Sequence, residues 1–251
     1  MPNDKFNYLL RLGDNALILS QRLSQWCGKG PALEEDMALS NVALDLLGQA
    51  RLWLAYAAEE EGRGRDEDQL AFLRDAHQFS NVLLVEQANG SYADTLVRQF
   101  LFDTWHYFLL QGLTASSDAR IAGIAEKSLK EVSYHLRRSS DLMVRLGDGT
   151  RESQRKMQRA VDDIWMFTGE MMQSDALDAA MSAAGIAPDP AGVRASWLAH
   201  VSVIFDEATL NLPPTDAWMQ KGGKQGVHTE HMGYLLAEMQ FMQRAYPGAQ
   251  W

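Results

Sequence analysis

Two stretches of the sequence place a histidine near a carboxylate at a spacing that brings both side chains to one face of a helix. Asp103 and His106 stand three residues apart, and Glu131 and His135 stand four apart. Side chains at these spacings are neighbours on a helix, and a carboxylate with an imidazole can bind a divalent metal. These four residues form the strongest catalytic candidate in the chain, a metal-dependent oxidoreductase site.

A di-iron carboxylate centre in a helical bundle requires more than these four residues. Such a centre takes a Glu from each of two helices and a Glu-x-x-His pair from each of the other two. Residues 130–135 read KEVSYH, so Val132 stands where the glutamate of such a pair would precede His135. None of the predicted core helices carries an intact Glu-x-x-His pair. A hydrogen bond is therefore the commoner role for Asp103 beside His106.

A third candidate is the pair His228 and His231, which follows a glycine-rich stretch at 222–226. Imidazole is a frequent ligand of divalent metals, so this pair could bind one. No third ligand stands nearby in the sequence, and we therefore favour an adventitious or interface role. The methionines and tryptophans between 157 and 181 are interpreted as core filling, since methionine adapts to irregular gaps in a core.

Composition excludes several other functions. The chain has 251 residues, 46% of them hydrophobic, and a formal net charge of -10, which disfavours nucleic acid as a partner. Basic residues do gather between Arg137 and Arg159, and we interpret them as a solvated helix face. The single cysteine, Cys27, has no intrachain partner. Without a signal sequence or an apolar span, the chain is predicted to be cytoplasmic and not membrane-bound.

Helical periodicity dominates the sequence and strand signals are nearly absent. We predict helices over 34–61, 93–113, 121–146, 153–173, 176–184, 191–210 and 232–246. Residues that recur at three and four on the first of these helices predict one wide buried stripe, made of Met37, Val42, Leu46, Leu47, Ala50, Trp53 and Leu54. We expect an all-α, ferritin-like antiparallel bundle with additional short helices, forming a single domain over 1–251 with a flexible glycine-rich segment and a final helix at 221–251.

Several separate motifs, in order along the chain, resemble the C subunits of bacterial phenylacetyl-CoA epoxidases. They are LRLGDN at 10–15, ALDLLGQAR at 43–51, QFSN at 78–81, KEVSYHLR at 130–137 and GGKQGVHTEH at 222–231. The similarity covers the whole chain, through LAEMQ at 236–240 and the terminal Trp251.

The resemblance implies a structural subunit of a multicomponent monooxygenase. In that family a ferritin-like C subunit pairs with a homologous catalytic A subunit, which holds the di-iron centre and epoxidises the ring of phenylacetyl-CoA. The system also includes a small B subunit and a reductase with FAD and an iron–sulfur cluster. The chain itself is then a component of an enzyme without an active site or cofactor of its own.

The resemblance also implies where ligands have been lost. The catalytic subunits carry an Asp-Glu-Ala-Gly-His motif that aligns with 45–49, which places Leu46 at a ligand glutamate and Gln49 at a ligand histidine. The second motif, Lys-Glu-Glu-Ser-Phe-His, aligns with 130–135 and places Val132 at a ligand glutamate. The glutamate of the first helix falls at Leu19.

Asp103 and His135 are then the surviving residues of ligand type. A buried carboxylate without a cation is costly to keep ionised, whereas leucine and valine fill the same volume favourably. We expect Leu19, Leu46 and Val132 to form a dry plug. Asp103 and His135 would remain as a hydrogen-bonded or ion-paired remnant, with Gln49 as a further partner.

The favoured function is accordingly a scaffold that holds the catalytic subunit in a competent shape. The segment 221–251, with its glycines, charges and aromatic residues, is the first candidate for the partner interface, and the isolated chain could form a homodimer through it. The alternative is a metalloenzyme using Asp103, His106, Glu131 and His135. A helical acyl-CoA-binding protein is a third reading, supported only by the local basic cluster.

Overall fold

The computed structural model describes residues 4–214 and 216–249, and every regular element in those ranges is an α- or 3-10 helix. Helix ends coincide with local caps. The Ser91 side chain accepts a hydrogen bond from the Asp94 backbone N–H at the start of one long helix, and the Asp94 carboxylate accepts one from the Ser91 N–H in return. Gly62 ends the preceding long helix in the left-handed conformation, with φ 65°. The all-α prediction is confirmed.

Contacts between residues divide the chain into two compact units. Unit 1 comprises Met1–Ala88 and Lys221–Trp251, and unit 2 comprises Asn89–Gln220. The prediction of a single domain over 1–251 stays a prediction. None of the described helices in either unit is long and apolar enough to cross a membrane.

Unit 1 is organised around one long antiparallel pair, because its first two helices are joined by a short loop and pack along their lengths. Its α-helices are α1 (Asp4–Ser24), α2 (Leu33–Glu61), α3 (Glu67–Phe72), α4 (Leu83–Glu86), α11 (Glu230–Met239) and α12 (Phe241–Ala245). The short helices α4 and α11 both pack on α1. The end of the chain therefore returns to the helix that begins it.

Unit 2 is built around a second long pair, α5 and α6, and α7 and α10 pack on both of its members. Its α-helices are α5 (Tyr92–Leu113), α6 (Ala119–Gly147), α7 (Arg151–Ile164), α8 (Gly169–Met172), α9 (Ala176–Ala183) and α10 (Pro190–Glu207). Two long antiparallel pairs with additional short helices agree with the predicted ferritin-like fold class.

The predicted boundaries of α2, α5 and α6 are correct to within two residues, but two other predicted helices are interrupted. The helix expected over 153–173 ends at Ile164 and continues as a 3-10 turn at Trp165–Phe167. Thr168 closes this turn, since its backbone N–H and its hydroxyl both donate to the Trp165 carbonyl, at 3.0 and 2.8 Å. The helix expected over 232–246 is divided at Gln240, whose buried side chain donates to the carbonyls of Ala71 and Arg74.

The buried stripe predicted on α2 is wrong at two positions. Met37 and Leu47 are 58% and 41% exposed, whereas the other five members are buried. At 3.6 residues per turn, Met37 lies on the side of the helix opposite Val42, Leu46 and Trp53, and Leu47 lies at the edge of the buried face, beside Leu54. Spacing alone did not separate these faces, because α2 carries apolar residues on both.

An ion pair in unit 1 joins α1 to the loop after α3. The Arg74 guanidinium binds the Asp14 carboxylate through two nitrogens, and the two side chains are 3% and 0% exposed. Asp14 also accepts from the Ser80 N–H at 2.9 Å. Arg74 donates to the Leu70 and Gln78 carbonyls, at 2.5 and 2.9 Å. Every charge in this buried pair is therefore compensated, as burial requires.

We expect Asp14→Asn to destabilise the protein by about 3–5 kcal/mol, because the buried Arg74 charge would lose its counter-ion. The midpoint of urea unfolding should fall accordingly. The control is Glu152→Gln at the exposed ion pairs with Arg155 and Lys156, where solvent screening should leave the midpoint nearly unchanged. Equal midpoints for Asp14→Asn and wild type would contradict the assignment of this pair.

Candidate functional site

Asp103 lies at the centre of a buried polar group in unit 2. Its side chain projects from α5 and is 1% exposed. Gln99, one turn earlier on α5, donates from Nε2 to one carboxylate oxygen at 2.6 Å, and Ser139 on α6 donates from Oγ to the other at 2.9 Å. The packing of α5 on α6 thus brings Ser139 to Asp103.

Burial dominates the electrostatics of this group. It raises the pKa of Asp103 to about 6, although the electrostatic interaction with His135 and the hydrogen bonds from Ser139 and Gln99 act in the opposite direction. Burial likewise lowers the pKa of His106 to about 3, and His135 contributes to that shift. His106 is therefore neutral at physiological pH, and Asp103 is held less acidic than an ordinary carboxyl group.

His106 packs as an aromatic core residue. Its ring lies 5.1 Å from the ring of Phe102 and 6.5 Å from that of Trp105, measured between centroids, and its Nδ1 has no hydrogen-bond partner within the described part of the chain. The carboxylate partners of Asp103 are Gln99 and Ser139, so the expected pairing of Asp103 with His106 is replaced by amide and hydroxyl donors.

The positions that the resemblance assigns to lost ligands are divided between the two units. Leu19 on α1 and Leu46 on α2 belong to unit 1, and Val132 on α6 belongs to unit 2; all three are completely buried. Gln49 is also buried in unit 1. That Leu19, Leu46 and Val132 form one plug, and that Asp103, His135 and Gln49 form a polar remnant, stay predictions.

These residues do not fit a di-iron centre. The side chains of Leu19, Leu46 and Val132 have no atom that can bind a metal ion. Within residues 4–214 and 216–249, no group of three or more His, Cys, Asp and Glu side chains could hold one. The candidate set of Asp103, His106, Glu131 and His135 is included in that search, and Glu131 is only partly buried on α6.

A second polar cluster, in unit 1, surrounds the carboxylate of Glu86 at the end of α4. Glu86 is completely buried, and its oxygens accept from Asn81 Nδ2 at 2.9 Å, from the Thr229 N–H at 2.6 Å and from the Thr229 hydroxyl at 2.8 Å. His228 Nδ1 lies 2.7 Å from the same carboxylate. The carboxylate thus binds two consecutive residues of the C-terminal segment.

Both ring nitrogens of His228 are occupied. Nδ1 faces the Glu86 carboxylate, and Nε2 lies 3.0 Å from the carbonyl oxygen of Phe79. Because both partners accept hydrogen bonds, both nitrogens must donate, and the ring is an imidazolium. Burial disfavours that charge, but the hydrogen bond and the negative charge of Glu86 outweigh burial and raise the pKa of His228. In this arrangement neither nitrogen can bind a metal.

His231 does not join this cluster through its ring. Its backbone carbonyl accepts from Arg22 Nη2 at 3.1 Å, while Arg22 also donates twice to the Glu86 carbonyl, at 2.9 and 2.7 Å. The pair His228 and His231 is therefore not a joint metal site, and His228 has a structural role. Sequence reasoning missed Glu86, although a lone acidic residue after the apolar run 82–85 was a usable signal.

The glycine-rich segment before His228 follows a defined path. Gly226 has φ 76°, and a Cβ at this position would lie 2.2 Å from the carbonyl oxygen of His77. Only glycine permits both the left-handed backbone and this close approach. Gly222–Val227 is also closed by a backbone hydrogen bond of 2.9 Å.

Comparisons with known proteins agree with the whole-chain resemblance. A family model described as "Phenylacetic acid catabolic protein" matches residues 2–251. The chain is 55% identical over 244 residues to the C subunit of the 1,2-phenylacetyl-CoA epoxidase of Escherichia coli (strain K12), an alignment that covers 97% of this chain and 98% of that protein.

The pKa of Asp103 predicts a distinctive pH dependence for Asp103→Asn. A carboxyl group whose folded pKa is raised to about 6 destabilises the folded state increasingly as pH rises from its ordinary pKa to that value. Asn keeps the shape and lacks this cost. We expect the stability of Asp103→Asn relative to wild type to improve by about 2 kcal/mol between about pH 4 and pH 7.

The measurement is urea unfolding of both proteins over that pH range, with Ser139→Ala as the control. Ser139→Ala removes a donor to Asp103 but keeps the carboxyl group. Its free energy of unfolding should therefore depend on pH in the same way as that of wild type. A difference between Asp103→Asn and wild type that does not change with pH would contradict the raised pKa.

The His228 imidazolium predicts that the C-terminal segment is held less tightly at high pH. A raised folded pKa adds stability below the ordinary pKa of histidine, and this stability is lost as pH rises through the folded value. Hydrogen-exchange protection of α11, corrected for intrinsic rates, should therefore fall between about pH 6 and pH 9. In His228→Gln, protection of α11 should be low at both ends of this pH range. In His231→Gln, protection should fall with pH as it does in wild type. Protection of wild type that is independent of pH would refute the charged pair.

Proposed function

Because the chain belongs to the phenylacetic acid catabolic protein family, we propose that it is the non-catalytic structural subunit of a multicomponent phenylacetyl-CoA epoxidase. It acts in aerobic phenylacetate degradation by scaffolding a homologous di-iron catalytic A subunit. The full-length similarity to the C subunit of such an epoxidase supports this assignment. The proposal includes a cytoplasmic location and no nucleic-acid or membrane partner.

The observation that carries the non-catalytic role is the chemistry of the aligned ligand positions. Leu19, Leu46 and Val132 offer only hydrocarbon, and they are completely buried. The remaining carboxylate, Asp103, accepts one hydrogen bond on each oxygen, from Gln99 and from Ser139. Hydrocarbon at these positions packs favourably where an uncompensated carboxylate would be costly.

The proposal assigns the cofactors to the other components. The di-iron centre belongs to the catalytic A subunit, and FAD and an iron–sulfur cluster belong to the reductase. The system also includes a small B subunit. This chain then contributes surface and shape, since the reactive iron must be held in a fixed geometry for chemistry on the aromatic ring.

The segment 221–251 is the partner contact that the sequence favours. Its exposed aromatic residues support that role: Tyr234, Phe241 and Tyr246 are 72%, 58% and 55% exposed. Aromatic side chains are enriched among interface anchors. Gln250 and Trp251, also part of the predicted interface, lie outside the described residues. A homodimer of the isolated chain through this surface is the corresponding expectation when the partner is absent.

We expect this chain, purified from iron-replete cells, to contain almost no iron, and to form a stable complex with the A subunit. Metal analysis and sizing chromatography, applied to each subunit and to their mixture, measure both properties. The A subunit purified in parallel is the control, because its iron content shows that iron was available.

Stoichiometric iron in this chain alone would overturn the structural role and point to the alternative, an independent metal-dependent oxidoreductase. Absence of any mixed complex would overturn the scaffolding role. Epoxidation of phenylacetyl-CoA by the A subunit should require this chain, when the B subunit and the reductase are supplied in excess.

A further inference from the structure

Helix α2 carries a second apolar face that its own unit does not cover. The face follows one row along the helix, at intervals of four and three residues: Leu33, Met37, Ser40, Leu44, Leu47 and Arg51. Leu33, Leu44 and Met37 are 72%, 65% and 58% exposed, and Leu47 is 41% exposed. We call this row the α2 stripe. Its spacing is that of the a and d positions of a coiled coil, which pack against another helix.

Most of the α2 stripe points away from the face that forms the core, and Leu47 lies at the edge between the two faces. Val42, Leu46 and Trp53 of the core face are at most 1% exposed. A surface helix normally has one apolar face and one polar face, so a second apolar row needs another explanation. Single exposed leucines are ordinary, whereas a row of four large apolar residues on one helix is typical of an interaction surface.

A cleft beside the stripe leaves room for a partner. It has a volume of about 620 Å³ and is lined by residues of α2, including Leu44, Leu47 and Gly48, and by Ala71 and Phe72 at the end of α3. The cleft therefore extends the apolar surface from the stripe towards the neighbouring helix of the same unit.

Gly48 gives independent support for close approach of another chain. A Cβ built at this position meets no atom within 4 Å, so the fold of this chain does not require glycine there. Glycine in the middle of a helix is less favourable than alanine. A small residue beside two exposed leucines instead permits the backbone of a partner helix to come close to α2.

The charged residues around the α2 stripe indicate which kind of partner can bind there. Carboxylates outnumber cations around the stripe and its cleft: Glu34 follows Leu33 on α2, and Glu67 and Asp68 line the cleft, where the guanidinium of Arg51 is bonded to Glu67 at 3.1 Å. A second copy of this chain would bring two acidic rims together, which disfavours a homodimer through this face. A helix flanked by Lys or Arg would be complementary.

We propose that the α2 stripe is the docking surface for an apolar helix, flanked by basic residues, of the catalytic subunit. This inference rests on the proposed scaffolding function, and it assigns the primary contact to α2 rather than to segment 221–251. Leucine and methionine side chains of the stripe would bury against the partner helix, and Gly48 would lie at the point of closest approach.

The test is the affinity of this full-length chain for the purified catalytic subunit. The double variant Leu44→Ser/Leu47→Ser removes two apolar contacts from an exposed face, and Gly48→Gln adds bulk only where a partner would lie. Each should raise Kd by about 10-fold or more without lowering Tm, because the altered positions are exposed in the free chain. Val203→Ser is the matched control, an exposed apolar residue of α10 that is 54% exposed.

A charge-reversal variant tests the assignment of the partner. Glu34→Lys/Asp68→Lys should slow association with the catalytic subunit, and the association rate of wild type should fall with rising salt. An increase of homodimer formation in this variant, with unchanged binding of the catalytic subunit, would overturn the choice of partner.

The outcomes separate this inference from the proposed function. Stable binding by wild type and by the stripe variants alike overturns the inference and leaves the scaffolding function intact. Loss of binding only in Tyr234→Ser/Phe241→Ser, in segment 221–251, also overturns it. If wild type itself fails to bind the catalytic subunit, both the inference and the scaffolding function are wrong.

Discussion

The position of the C-terminal segment in unit 1 depends on one buried carboxylate. Glu86 is completely buried, and a charge in such a place is tolerated only when donors surround it. Those donors come from Asn81 in the preceding loop and from His228 and Thr229, far along the chain. Arg22 binds the Glu86 carbonyl and the start of α11. Hence α1, α4 and α11 are held together by polar contacts as well as by packing.

A related constraint explains the Asp103 group in unit 2. Asp103 has lost solvent, and it is satisfied by an amide and a hydroxyl rather than by a strong cation. The loss of solvent raises the pKa of Asp103. Glu86, by contrast, is bonded to an imidazolium. The two buried carboxylates are therefore stabilised differently, one by neutral donors and the other by a charged donor.

These features suit a protein whose surface, rather than its interior, has the functional role. In the proposed scaffold, the buried positions that the resemblance assigns to iron ligands are leucine and valine, which pack tightly and need no metal. Meanwhile α2 presents apolar residues on both sides, one side towards the core of its unit and the other towards solvent.

The sequence by itself determined the all-α class, the bounds of α2, α5 and α6, and the family. Those properties depend on local periodicity, on caps such as Ser91 and on ordered motifs, all of which are readable along the chain. That Leu46 and Val132 stand at lost ligand positions follows from the family resemblance and stays a prediction. The exposure of Met37 and Leu47 was not readable along the chain, because a period of 3.6 residues shows that a helix has faces but not which face is covered.

Only the tertiary structure decided which polar residues meet. Glu86 and His228 are separated by 142 residues, and Asp103 and Ser139 by 36. The sequence pairs Asp103 with His106 and His228 with His231, since these are neighbours in the chain. In the fold, burial excludes water, so each buried polar group must take a partner from whichever element packs against it. That choice is set by packing between distant helices, which local spacing does not encode.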